Sequence, residues 1–161
     1  MKRFICALVV LLSAANIVAI AQIRYENYLN ERFRFMVEYP SSLLLPQPPP
    51  ANGDGRTFMS KDKKVEMRVW GQNNALDRTL EEQFADAKRQ CGKTSYERVS
   101  AMLFAFSCTR NGRIFYQKTL YRESDDVFIN FLIEYPLREK KRFDPIVKRI
   151  ANTMRHDLNA G

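Results

Sequence analysis

The ten residues Val127 to Pro136, VFINFLIEYP, constrain this chain more than any other stretch. Val127, Ile129, Phe131, Ile133 and Tyr135 fall on one side of an extended strand, while Phe128 and Leu132 interrupt the other side with large apolar groups. A strand that is apolar on both sides needs cover on both sides. The chain must therefore fold around a sheet with something packed on each face.

Two segments have the spacing to supply that cover. Thr79 followed by Glu82 is a capping box, Leu80, Phe84, Ala87 and Cys91 repeat as one helical stripe, and Gly92 is placed to close the helix. Near the C-terminus, Phe143, Val147, Ile150 and Met154 step i, i+4, i+7, i+11 along one face, with Asp144-Pro145 at or near the helix start.

The remaining segments read as strands and turns. RFRFMVEYP, residues 32 to 40, alternates Phe33, Phe35, Val37 and Tyr39 against Arg34, Met36 and Glu38, and Pro40 ends it. The proline-rich stretch 41–55 is expected as an extended surface loop held by Leu43 to Leu45, because Pro46, Pro48, Pro49 and Pro50 have no amide hydrogen to give a sheet. RTFMS and VEMRVWG form a hairpin around KDKK, with Trp70 on the side opposite Val65, Met67 and Val69. SYERV, LFAFSCT and RIFYQKTLY follow the first helix, Asn111-Gly112 marks a two-residue hairpin, and Ser124 to Asp126 make the next turn. The order is three strands, helix, four strands, helix. That predicts an α+β fold: an antiparallel β-sheet of about six or seven strands flanked by helices, in one domain covering 22–161.

Residues 1–21 have the parts of a secretory signal: Lys2 and Arg3, an apolar run from Phe4, then Ala19-Ile20-Ala21. Cleavage between Ala21 and Gln22 is expected, giving a periplasmic or secreted chain with no membrane span. The other reading is a retained anchor, since the apolar segment approaches the roughly 20 residues that a span requires. Without Lys2 and Arg3 the chain keeps 24 basic against 18 acidic residues, a net +6. In an oxidising compartment the two remaining cysteines, Cys91 and Cys108, are expected to be bridged; the alternative is a pair of buried thiols.

Asn52-Gly53-Asp54-Gly55 is open to two readings, an ion loop or turn chemistry. A calcium loop needs oxygen ligands at alternating positions and a closing Glu, where this chain has Arg56 and Phe58, so turn chemistry is preferred and no metal or cofactor is expected. Nothing in the sequence suggests catalysis. His156 is the sole histidine and is expected in the last turn of the final helix. The carboxylate pairs Glu81/Glu82 and Asp125/Asp126 belong to a helix opening and a turn, and no nucleophile elbow, zinc-binding helix or phosphate loop occurs.

Binding is the remaining class. Candidate contacts are Asn52, Asp54 and Arg56 in the loop, Trp70 beside it, and Arg142, Lys148 and Arg149 in a basic C-terminal helix. Arg138, Lys140, Lys141 and Arg155 add to that charge, which would suit a protein partner or an anionic surface. Nucleic acid is not expected, because no basic motif with interleaved aromatics is present. Tyr25 and Tyr28, with Arg32 and Arg34, are either a contact region or a staple for the N-terminal arm.

RFRFMVEYP, NGDGRTFMS, VEMRVWG, and FLIEYP leading to FDPIVKRIANTM together resemble the PsbP-like superfamily, over roughly residues 25 to 155. That superfamily is named for an extrinsic photosystem II subunit and shares an α-β-α sandwich with Ran-binding proteins of eukaryotes. It is also similar to DcrB-type envelope proteins and to type VI secretion effector chaperones. The resemblance implies the sandwich fold and function by binding, and it carries no catalytic motif onto these positions. The resulting expectation is a non-catalytic binding or accessory protein that recognises another protein of the cell envelope. The alternatives are an immunity or inhibitor protein against a periplasmic toxin, and a small-ligand or metal carrier.

Overall fold

In a computed structural model that describes residues 22 to 156, the strand VFINFLIEYP lies where its two apolar sides require. Among the described residues the β-strands and α-helices, in chain order, are β1 (Glu26–Asn30), β2 (Phe35–Tyr39), β3 (Leu45–Pro46), β4 (Gly55–Met59), β5 (Glu66–Asn73), α1 (Leu80–Arg89), β6 (Thr94–Ser100), β7 (Leu103–Arg110), β8 (Arg113–Arg122), β9 (Val127–Pro136), α2 (Lys140–Thr153) and β10 (Arg155–His156). β9 occupies the centre of a seven-stranded antiparallel sheet of order β3-β4-β5-β9-β8-β7-β6. This is the α+β architecture that the periodicity predicts. The expected signal segment lies outside the described residues.

The sequence did not anticipate the second sheet. β2, expected as part of the main sheet, instead pairs with β1 on one side and with Arg155 and His156 on the other. β1 was expected only as an arm ahead of the first strand. Its pairing gives Tyr28 an edge contact with the Phe35 and Phe58 rings, so this tyrosine staples the arm to the core. Phe33, in the turn between β1 and β2, presses on β5 where Gly71 leaves room: a Cβ there would sit 2.1 Å from the Phe33 ring.

Three boundaries also differ from expectation. Within the loop 41–55, Leu44 is fully buried, and Leu45 and Pro46 pair with Met59 and Phe58 as β3. Pro46 is tolerated because β3 is an edge, where a missing donor costs nothing. α2 begins at Lys140, continuing a 3-10 turn at Leu137–Glu139, so Pro145 sits inside the helix and not at its start. His156 lies beyond that helix, in β10, because Met154 leaves helical geometry and turns the chain onto β2.

The local expectations elsewhere are met. Thr79 Oγ1 accepts the Glu82 amide and the Glu82 carboxylate accepts the Thr79 amide, so both halves of the capping box are present. Asn111 and Gly112 both adopt positive φ, as a two-residue hairpin needs. Cys91 and Cys108 are disulfide-bonded with Cα atoms 5.8 Å apart, tying the chain just after α1 to β7, one strand in from the β6 edge. α2 packs on β9 and on the small sheet, and α1 on β7 across the other face.

Candidate functional site

α2 does not extend over the β6 end of the sheet. Its buried residues, Phe143, Ile146, Val147, Ile150 and Ala151, face β9 and β2, which leaves β6 and β7 uncovered on that side. Beyond Leu103 at its start, the positions of β7 on this side are small: Ala105 and Ser107 share this face, while Phe104, Phe106 and Cys108 turn to the other. Small side chains with no helix above them leave a groove of about 470 Å³ between α2 and β6.

Apolar groups form its floor and basic groups its rim. Ala105, Ile114 and Tyr116 lie along the bottom, with the Tyr96 ring stacked on Tyr116 at 6.5 Å between centroids. Arg98, Lys118, Lys140 and Lys148 project around them. The single acidic residue of the lining, Asp144, is already engaged by Lys140 and by the Tyr135 hydroxyl, which donates to it at 3.0 Å. The groove therefore presents unbalanced positive charge.

Lys118 is the half-buried member of that set. Its Nζ donates to the Ala151 carbonyl at 2.6 Å, satisfying an acceptor in the last turn of α2. Burial, and next the Arg98 charge, hold its ammonium below the usual lysine value. An ammonium has three donors, so a group capping α2 retains hydrogen-bonding capacity toward a ligand. Tyr116 is pushed up to about 12 by burial, so its hydroxyl stays protonated and neutral. The cationic and apolar side chains of the lining are of the kind that suits an anion beside an apolar surface.

Apart from Lys148, which lines the groove, the candidates singled out from the sequence fall into two other places. Asp54, Arg56 and Trp70 come together, with Pro48, Pro50 and Arg68, around a shallower cavity of about 310 Å³. The Asn52 side chain donates to the Asp54 carboxylate at 2.7 Å, and the turn is closed by the Gly53 amide on the Pro50 carbonyl. Asn30 and Arg32 donate to the carbonyls of Gly53 and Asn52, which latches this loop to the end of β1. Among the described residues, no group of three or more His, Cys, Asp or Glu side chains is placed to hold a metal ion. Trp70 lies half-buried against the α1-side cluster, its indole nitrogen donating to Gln72 at 3.2 Å.

The basic helix does not act as one patch. Arg149 pairs with Glu38 at 2.8 Å and lies over the Tyr25 ring at 3.9 Å, and Arg142 pairs with Glu139 at 3.5 Å. Lys148 projects to the opposite side, into the groove. Sequence reasoning missed Tyr96, Arg98 and Lys118 altogether. The signal was present in LFAFSCT, whose small residues alternate with large ones, but which face lacked a helix was not legible there.

No protein-family model matches the chain, and no curated protein is similar to it in sequence. Solved structures do match. The chain is similar to cyanobacterial PsbP (CyanoP) from Synechocystis sp. PCC 6803, at 11% identity and a TM-score of 0.57, over 90% of this chain and 98% of that one. It is also similar to the Saccharomyces cerevisiae Ran-binding protein Mog1p, at 10% identity and a TM-score of 0.59, over 84% of this chain and 97% of the other. The chain has the PsbP-like fold that its strand and helix motifs resemble.

Proposed function

We propose that this protein is a non-catalytic binding or accessory protein of the periplasm or extracellular space, which recognises another envelope protein through the groove between α2 and β6. The observation that carries the reading is the groove itself: an apolar floor ringed by Arg98, Lys118 and Lys148 where the sheet lacks its helix. A secretion-type N-terminal segment and the Cys91–Cys108 bridge support the compartment. One similar structure is a Ran-binding protein, which favours protein recognition as the use of this fold. Among the described residues no helix is long and apolar enough to cross a membrane.

The test is capture of a partner from envelope extract by tagged residues 22–161, at low and raised salt, beside an Arg98→Glu, Lys148→Glu double variant. One stoichiometric protein that survives salt and is lost in the variant is the expected result. Capture that ignores both substitutions would rule the groove out and turn attention to the loop cavity of Asn52, Asp54, Arg56 and Trp70. If the captured protein is a toxin, the protein is an immunity factor. The groove volume also lies in the range of roughly 300 to 1,000 Å³ used for small molecules. A small molecule co-purifying with the chain in native mass spectrometry would favour a carrier instead.

A further inference from the structure

The two ends of the seven-stranded sheet are finished differently. At one end β3 is only two residues long, and the chain after it runs along β4, where the Gln47 amide donates to the Thr57 carbonyl at 2.8 Å. At the other end β6 pairs with β7 alone, and its residues from Ser95 to Ser100 are exposed. An edge strand turns alternate N–H and C=O groups away from its neighbour, and bulges are one device that blunts it. β6 has its bulge between Thr94 and Tyr96, at its beginning, and pairs regularly from Tyr96 to Ser100.

That open edge forms one wall of the groove. Tyr96 and Arg98 pair with Ser107 and Ala105, so their side chains stand on the groove face, while Val99 stands on the other face, 45% exposed. Arg98, Lys118 and Lys148 take part in no ion pair among the described residues. Unpaired backbone groups and unbalanced positive charge therefore lie side by side. A strand added here would place every second side chain at the basic mouth of the groove, beside Tyr96 and Arg98, and the others beside Val99.

We propose that an extended segment of the partner protein, alternating acidic and apolar residues, docks as an eighth strand on Tyr96–Ser100, its carboxylates meeting Arg98 and lying in the positive field of Lys118 and Lys148. This inference rests on the groove reading above and adds the partner's chemistry and its mode of attachment. Backbone hydrogen bonds to β6 hold the segment, and the basic rim selects its charge.

The probe is a short fluorescein-labelled peptide of alternating Glu and Val, followed by fluorescence anisotropy against the full mature chain. It should bind about tenfold or more tightly than a Lys-Val peptide, and lose about tenfold on Arg98→Glu with Lys148→Glu. Those two side chains are exposed and take part in no ion pair among the described residues, so the fold should tolerate the change, and Lys61→Glu, exposed in the turn between β4 and β5, is the control. N-methylation of the peptide at alternate residues should abolish binding in one phase and spare it in the other, because only one phase donates to β6.

Equal binding of the Lys-Val peptide would overturn the acidic selection. Indifference to both N-methyl phases would overturn strand addition. In either case groove recognition stands as long as partner capture still responds to the Arg98 and Lys148 substitutions. Capture that ignores them would end the groove reading and this inference with it.

Discussion

On the face under α2, β9 contributes Ile129, Phe131 and Ile133, each fully buried, whereas on the face under α1 the same strand contributes Phe128 and Leu132 on either side of Asn130. The first face joins α2 and the small sheet in one continuous apolar cluster. The second holds a smaller cluster and a buried polar row, in which Gln117 donates to Thr119 at 3.3 Å and Thr119 to Asn130 at 2.8 Å. The Asn130 amide nitrogen at the end of that row has no partner among the described residues. An unsatisfied buried donor costs about 1 to 3 kcal/mol. Of the residues of α1, only Leu80 is fully covered, so this helix depends on its capping box and on the Cys91–Cys108 bridge. One face is held by burial and the other by local and covalent fastening, so each fails in its own way.

The largest expected effect tests the comparison within a single strand. Ile133→Ala and Leu132→Ala remove neighbouring side chains of β9 that point to opposite faces. Truncations of this kind cost about 2 to 5 kcal/mol, and Ile133 should fall near the top of that range and Leu132 near the bottom, read from urea denaturation midpoints. Equal losses would mean that the two faces are packed alike.

Next in size is the bridge. Replacing Cys91 and Cys108 by Ala should cost about 3 kcal/mol for a loop of this length. Amide exchange in α1 should then rise while α2 remains protected; if both helices loosen together, α1 is not fastened separately. Thr79→Ala removes the capping side chain and should cost about 1 kcal/mol, again with exchange rising in α1 alone.

The smallest effect belongs to the α2 side and depends on pH. Burial, and next the Arg122 charge, hold the His156 imidazole below its ordinary value, with Asp125 opposing and Lys118 adding to the shift. The folded state thus disfavours the imidazolium, and the unfolded chain takes the proton first as pH falls. Stability should decline as pH drops through the ordinary histidine value of about 6.5 and level off below the folded value. His156→Asn should remove that slope, with urea midpoints measured across the series.

Long alternations and helical stripes were legible in the chain because they repeat. β9, the β4-β5 hairpin, the α1 stripe and the Asn111-Gly112 turn each carry their own pattern. β1 was not legible: ENYLN offers no apolar alternation, and its residues become a strand only because β2 presents a free edge. β3 was masked by Pro46, a residue whose meaning depends on whether the strand is an edge. The ion pair of Arg149 was equally hidden, since Glu38 lies 111 residues away, whereas that of Arg142 with Glu139 is local.

The need of β9 for cover on both sides, the two amphipathic helices available to provide it, and the α+β class were all written in the chain. These follow from period and composition, which are local quantities. Long-range packing settled that β2 would leave the main sheet for one of its own, and that α2 would stop short of β6. It also decided that Tyr96, Arg98, Lys118 and Lys148, drawn from three separate elements, would share one groove. The physical reason is that a helix covers only as much sheet as its apolar stripe reaches. Where that reach ends, the side chains left uncovered are set by strand order and register, which no single segment encodes.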